Sequence, residues 1–218
     1  MLILKVFNYY QQQQKALQQQ LAAFAGLVPL LLRLYLAPVL AQAGWQKYQH
    51  FADTVAWFGN ADWGLALPWP ELMATVAIVA ELGGAWLLLL GLATRLVCLP
   101  LIVVMLVAIA AVHAPYGWLA IADSGSWLAD GTLFYHERVM AAAEKLAAAN
   151  AILQQHGDYP WLTASGKLVI LNNGIEFAAT YLLLLCCLLL LGPGRYVSLD
   201  DWLSRRLQQQ RAASELQR

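Results

Sequence analysis

Apolar residues run in four long blocks, separated by polar or aromatic segments, and this rhythm alone sets the expected architecture. The blocks cover residues 27–45, 72–92, 96–114 and 175–191. Each approaches the roughly 20 apolar residues that an α-helix needs to cross a bilayer. The pattern therefore predicts an all-α fold: a four-transmembrane-helix bundle forming a single membrane domain over residues 1–218. The first block ends in Ala41-Gln42-Ala43, which mimics a signal-peptide cleavage site. Arg33 interrupts its apolar stretch, however, and a glutamine-rich leader precedes it, so a retained helix is expected.

Between the blocks, the turn GLATR makes the second and third spans an antiparallel hairpin. The first outer loop, FADTVAWFGNADWGLALPWP, carries the tryptophans and prolines of an interfacial aromatic belt and is expected to lie on the membrane. The long loop 115–174 contains HERVMAAAEKLAAANAILQQHG, an amphipathic helix stopping at Gly157. After the fourth span GPGRY breaks the helix and SLDDWLSRRL starts another. Ser198 and Asp201 have capping-box spacing, and Trp202 with Arg205 and Arg206 suits a C-terminal interfacial helix.

Composition agrees with this picture. Hydrophobic residues are 61% of the chain and charged residues 12%, against roughly 25% charged in soluble proteins. Formal net charge is zero, which gives no reason to expect a nucleic-acid partner. The distribution of basic residues is more informative. With four spans, one side holds Lys5, Lys15, Arg95, Arg195, Arg205, Arg206, Arg211 and Arg218, and the other holds Lys47, Arg138, Lys145 and Lys167. Eight against four places both termini in the cytoplasm of a multi-pass inner-membrane protein and loop 115–174 outside. The cysteines, Cys98, Cys186 and Cys187, all lie in apolar runs with no C-x-x-C spacing, so neither a disulfide framework nor a dithiol redox centre is expected.

Charges inside the spans then stand out. On the second helix Ala74, Ala77, Glu81, Gly84, Leu88 and Gly91 share one seam of mostly small residues, which turns Glu81 into the bundle. On the first helix Arg33, Ala37, Ala41 and Gly44 form a comparable seam leading to Lys47 or Tyr48. Counted at 1.5 Å per residue, Arg33 and Glu81 differ in depth by about 6 Å, within reach of two long side chains. A buried Arg33–Glu81 ion pair is expected, either fixing helix register or forming part of a functional polar pocket. Lys47, Glu71, His113 and Glu176 each sit near the outer end of a different span, and together they form a candidate externally accessible binding pocket. Each also has a plain reading as a helix-end residue favoured by the helix dipole or by snorkelling. No nucleotide loop, haem signature, HExxH motif or tight Cys/His metal cluster is present, so no metal site is expected, and the residues assign no catalytic group or cofactor.

The stretches RLYLAPVLAQAGWQK, AELGGAWLLLLGLATR and NNGIEFAATYLLLLCCLLLLGPGRYVSLDDW resemble the DoxX family of small four-helix membrane proteins. The matching positions are Arg33, Lys47, Glu81, Glu176, Gly194, Arg195 and Asp200. The long loop, with GWLAIAD and GDYPWLT, is most similar to the HvfX branch. That resemblance implies a bacterial inner-membrane accessory protein in the maturation, export or redox handling of a copper-binding ribosomal peptide, with the peptide and its maturation enzymes as partners alongside lipid. Other relatives imply a quinone-linked oxidoreductase subunit, with quinone as partner, or a non-catalytic scaffold or chaperone.

Overall fold

The computed structural model describes residues 2–216, and the side chains of residues 4–215. Arg218, counted above among the basic residues, lies outside the described residues. Helix accounts for 72% of the structure, and among the described residues no strand forms beyond the single bridges Ile121–Leu171 and Asp130–Tyr135.

The helices follow the apolar blocks closely. α1 spans Leu2–Ala22, α2 Leu27–Gln49 and α3 Phe51–Gly59. α4 (Pro70–Ile78) continues through a π-helical turn, Val79–Gly83, into α5 (Gly84–Leu90), making one rod. α6 (Thr94–Val107) passes through a second π-helical turn, Ala108–His113, and a short 3-10 turn, Ala114–Tyr116. α7 is Glu137–His156, α8 Tyr159–Leu162, α9 Glu176–Leu191 and α10 Leu199–Leu216. Two expectations are met closely: the amphipathic helix of the long loop ends at Gly157, and a helix starts after Ser198.

Of the four expected spans, three are shown by length and composition. Three helices are long and apolar enough to cross a membrane: Leu27–Gln49, Pro70–Leu90 and Thr94–Tyr116. The fourth apolar helix, α9, has 16 residues and reaches about 24 Å at 1.5 Å per residue, short of a hydrocarbon core of about 30 Å. Left-handed backbone bounds it on both sides, at Asn173 (φ 65°) and Gly192 (φ 76°). The first outer loop is partly helical. Residues Phe51–Gly59 coil into α3, which presents Phe58 to Ala74 and Ala77 of α4.

The chain divides into two compact units, residues 1–102 with 184–218 and residues 103–183. In the first unit the seam read from the sequence is the packed face: Arg33, Ala37 and Gly44 of α2 are buried, as are Ala74, Ala77, Glu81, Gly84 and Leu88 of the second span. Leu101 of α6 and Leu185 and Leu188 of α9 are fully buried as well. The opposite faces stay apolar and exposed, for example Val79 (64%), Trp86 (64%), Leu96 (70%) and Leu190 (79%). Such faces suit lipid contact, because the backbone polar groups are satisfied within each helix.

The second unit is organised around a clamp between residues 116–120 and 172–176. Asn172, 1% exposed, donates from its side-chain amide to the carbonyls of Tyr116 and Leu119, each at 2.7 Å. Backbone N–H groups of Asn173, Gly174, Ile175 and Glu176 donate to carbonyls of residues 117–120. This zipper leaves no room for a side chain at position 174. A Cβ there would stand 2.5 Å from the Leu119 carbonyl oxygen and 2.7 Å from that of Gly117. Gly174→Ala is therefore expected to destabilise the protein by about 1–3 kcal/mol through overpacking against backbone. Gly83→Ala, where nothing lies within 4 Å, should leave stability within about 0.5 kcal/mol as an uncrowded substitution. Thermal unfolding of the purified variants checks the contrast.

Candidate functional site

Lys47 occupies the last turn of α2, and Glu81 the centre of the π-helical turn of the second span. Close approach of the two helices makes their meeting possible. A Cβ on Gly44, one turn before Lys47, would sit 3.0 Å from Cβ of Glu81 and 2.9 Å from Cγ of Leu82, so glycine lets the backbones touch. Lys47 Nζ then donates to both carboxylate oxygens of Glu81, at 2.8 and 2.7 Å. Glu81 is 2% exposed, whereas Lys47 keeps 27% exposure. An ammonium has three protons. Two are used on Glu81, and among the described residues no acceptor takes the third. The pair is thus a buried carboxylate held by a cation with one free donor and partial access.

The π-helical turn supports this placement. An i→i+5 turn inserts an extra residue into the α-helical register, and such turns are frequent at functional sites. Here it keeps Ala77, Glu81, Gly84 and Leu88 on one buried face.

Arg33 is also fully buried, but its partners are not those the sequence suggests. Nη1 donates to the carbonyls of Val197 (3.1 Å) and Leu88 (3.4 Å), and Nη2 to those of Tyr196 (2.9 Å) and Val197 (3.1 Å). Nε has no partner. The expected Arg33–Glu81 pair is therefore replaced by two separate arrangements. Depth counting placed the two charges within reach, but it took no account of competing acceptors. Successive carbonyls of the returning segment 195–198 surround the guanidinium, and the lysine at the other end of α2 is the nearer cation for Glu81.

That returning segment is a strap fixed at several points. Ser198 Oγ and the Asp200 N–H both donate to the Gly91 carbonyl. The Asp200 carboxylate accepts from the N–H groups of Ala93 (2.8 Å) and Thr94 (3.1 Å), capping α6 from a distant part of the chain. Arg195 and the Tyr196 hydroxyl both donate to the Ala23 carbonyl. Half of the capping box at Ser198 forms: the Asp201 N–H donates to Ser198 Oγ at 3.2 Å, while the Asp201 carboxylate pairs with Arg205. The carboxylate–backbone cap made by Asp200 was missed, because nothing in SLDD marks which of its acids reaches a helix far away in sequence.

Of the other candidate residues, His113 and Glu176 lie in the second unit and Glu71 in the first. His113 closes the second π-helical turn and, in the second unit, its Nδ1–H donates to the Asn173 carbonyl at 2.8 Å, which leaves Nε2 as an acceptor. Glu176, at the start of α9, accepts from the Ala120 N–H at 2.9 Å. Both belong to the 116–120/172–176 clamp, where Asn172, not singled out as a site residue from the sequence, is the most buried polar group. Glu71 stands in the first turn of α4. It precedes Glu81 by ten residues, about 15 Å along the rod, so Lys47 bound to Glu81 does not also reach it. Among the described residues no group of three or more His, Cys, Asp or Glu side chains is placed to hold a metal ion.

Comparison with known proteins covers the first half of this arrangement. Residues 28–114 match the family described as DoxX. The matched stretch holds α2 to α6 and both π-helical turns, and with them Arg33, Lys47, Glu71, Glu81 and His113. No curated protein and no solved structure matches the chain.

Removing one member of a buried pair leaves an uncompensated charge and costs about 3–5 kcal/mol. Lys47→Met is expected near the lower end of that range, because water reaches its side chain. The double variant Lys47→Met/Glu81→Leu should recover most of the loss, whereas Arg33→Gln/Glu81→Gln should show additive losses. Thermal unfolding of the single and double variants in detergent measures both couplings.

Proposed function

We propose that the whole chain belongs to the DoxX family, in its HvfX branch, and acts as a multi-pass accessory protein of the bacterial inner membrane with both termini cytoplasmic. In this reading it supports the maturation, export or redox handling of a copper-binding ribosomal peptide, and the Lys47–Glu81 pair is the polar centre through which it acts. The observation that carries the site is a carboxylate 2% exposed in mid-span, held by a lysine that remains 27% exposed and has a proton to donate. The match over residues 28–114 supports the family, and the pathway assignment rests on the resemblance of GWLAIAD and GDYPWLT in the long loop. His113 is a second candidate contact for a ligand, through Nε2. With α9 taken as a fourth crossing, its 16 residues accommodated by local thinning of the bilayer, the excess of basic residues on the terminal side supports the orientation.

A structural ion pair and a functional one respond differently to its replacement by apolar residues. Lys47→Met/Glu81→Leu should restore folded, membrane-inserted protein yet fail to restore peptide maturation in a strain lacking the native protein. A double variant that restores both would reduce the pair to a structural brace. Reduction of added quinone by the wild-type protein together with its pathway partners as electron donors, lost in the same double variant, would move the function to a quinone-linked oxidoreductase. A reporter fused after Arg218 should be active only as a cytoplasmic fusion.

A further inference from the structure

Between α3 and the start of α4 lies an open cavity of about 600 Å³, lined by Val55, Trp69, Pro70, Glu71 and Leu72. Four of these five residues are apolar, and the fifth is a carboxylate. Among the described residues Glu71 makes no ion pair, and its side chain accepts no hydrogen bond. Glu71 stands in the first turn of α4, so the cavity sets one unpaired carboxylate against an apolar floor. Trp69 is 73% exposed, and its backbone is left-handed at φ 49°, a conformation that bulky residues rarely hold. An exposed tryptophan kept in such backbone gains little from packing. Strain of this kind gathers at ligand clamps.

We infer that this cavity binds an organic cation on an apolar stem, an ammonium or guanidinium whose charge meets the Glu71 carboxylate and the Trp69 ring while its stem lies on Val55, Pro70 and Leu72. An indole face is the strongest aromatic partner for such a cation, and an unpaired carboxylate completes the recognition. The inference does not depend on the peptide pathway proposed above. The same chemistry is offered by the amine headgroup of phosphatidylethanolamine and by a free amine.

The test uses the full chain in a neutral sugar detergent, titrated calorimetrically with 4-phenylbutylammonium. 4-Phenylbutanol serves as the uncharged control, and partition into micelles is common to all variants. Glu71→Gln and Trp69→Gly should each weaken ammonium binding about tenfold, the scale of one ion pair or one cation–π contact in a partly desolvated site. Trp69→Gly should do so without lowering the melting temperature, since glycine accepts the left-handed backbone. Competition by dihexanoyl-phosphatidylethanolamine, absent with dihexanoyl-phosphatidylglycerol, assigns the site to the lipid amine; binding of the free amine alone assigns it to a soluble cation. Equal affinity for the ammonium in wild type and Glu71→Gln, or binding of the alcohol as tight as that of the ammonium, overturns the inference.

Discussion

A full charge buried among apolar helices has to be matched by groups within direct reach, and the packing of the first unit follows from how two such charges are matched. Insertion of a charged side chain at a helix centre costs about 2.5–3.5 kcal/mol on translocon scales. Arg33 and Glu81 are 0% and 2% exposed. Pairing them with each other would have been the economical solution. The structure gives each its own partner instead, and the consequences run to opposite ends of α2. Glu81 draws Lys47 inward at one end, and Arg33 collects the strap 195–198 at the other.

Those two attachments explain otherwise unrelated details of the sequence. Gly44 is needed because Lys47 reaches Glu81 only if α2 and the second span touch. The GPGRYVSLDD segment must turn back sharply after α9, and it does so through left-handed backbone at Gly192, Gly194 and Val197. Once returned, its carbonyls hold Arg33, its serine and backbone hold Gly91, and Asp200 caps α6. Neutral carbonyls bound to Arg33 fix a backbone path rather than a single side chain. Arg33 is therefore a positional anchor for the strap. Glu81, held by a lysine with one free proton, is the better candidate for contact with a ligand.

Much of this was legible from residue spacing, and the reasons for the rest are physical. Helical periodicity located the buried faces because burial of small and apolar residues is what the 3.6-residue repeat records; Ala74, Ala77, Glu81, Gly84 and Leu88 are all buried. Helix ends marked by strong breakers, such as Gly157 and the GPG after α9, were also found. Partner choice was not legible, because depth along an axis says nothing about which acceptors surround a side chain. The length of α9 was read to within one residue, as the block 175–191. What the sequence did not show is why it starts there: the Asn172–Glu176 clamp fixes that end of the helix. The two π-helical turns share no glycine or proline signal, since VAELG ends in Gly83 while AIAAVH has neither, although each includes an ionisable residue, Glu81 or His113.

The central claim is that Glu81 is neutralised by Lys47 and not by Arg33. Dipolar-coupling solid-state NMR on the protein in lipid bilayers, with lysine and arginine side chains labelled with nitrogen-15 and glutamate carboxyls with carbon-13, measures it directly. With Nζ at 2.7 and 2.8 Å from the two oxygens, the Lys47 Nζ–Glu81 Cδ distance should be under about 4 Å, as for a direct charge-assisted contact. It should disappear in Lys47→Met while the Arg33 nitrogens stay uncoupled to that carbon. A short Arg33–Glu81 contact in the wild-type protein, with Lys47 uncoupled, would contradict the account.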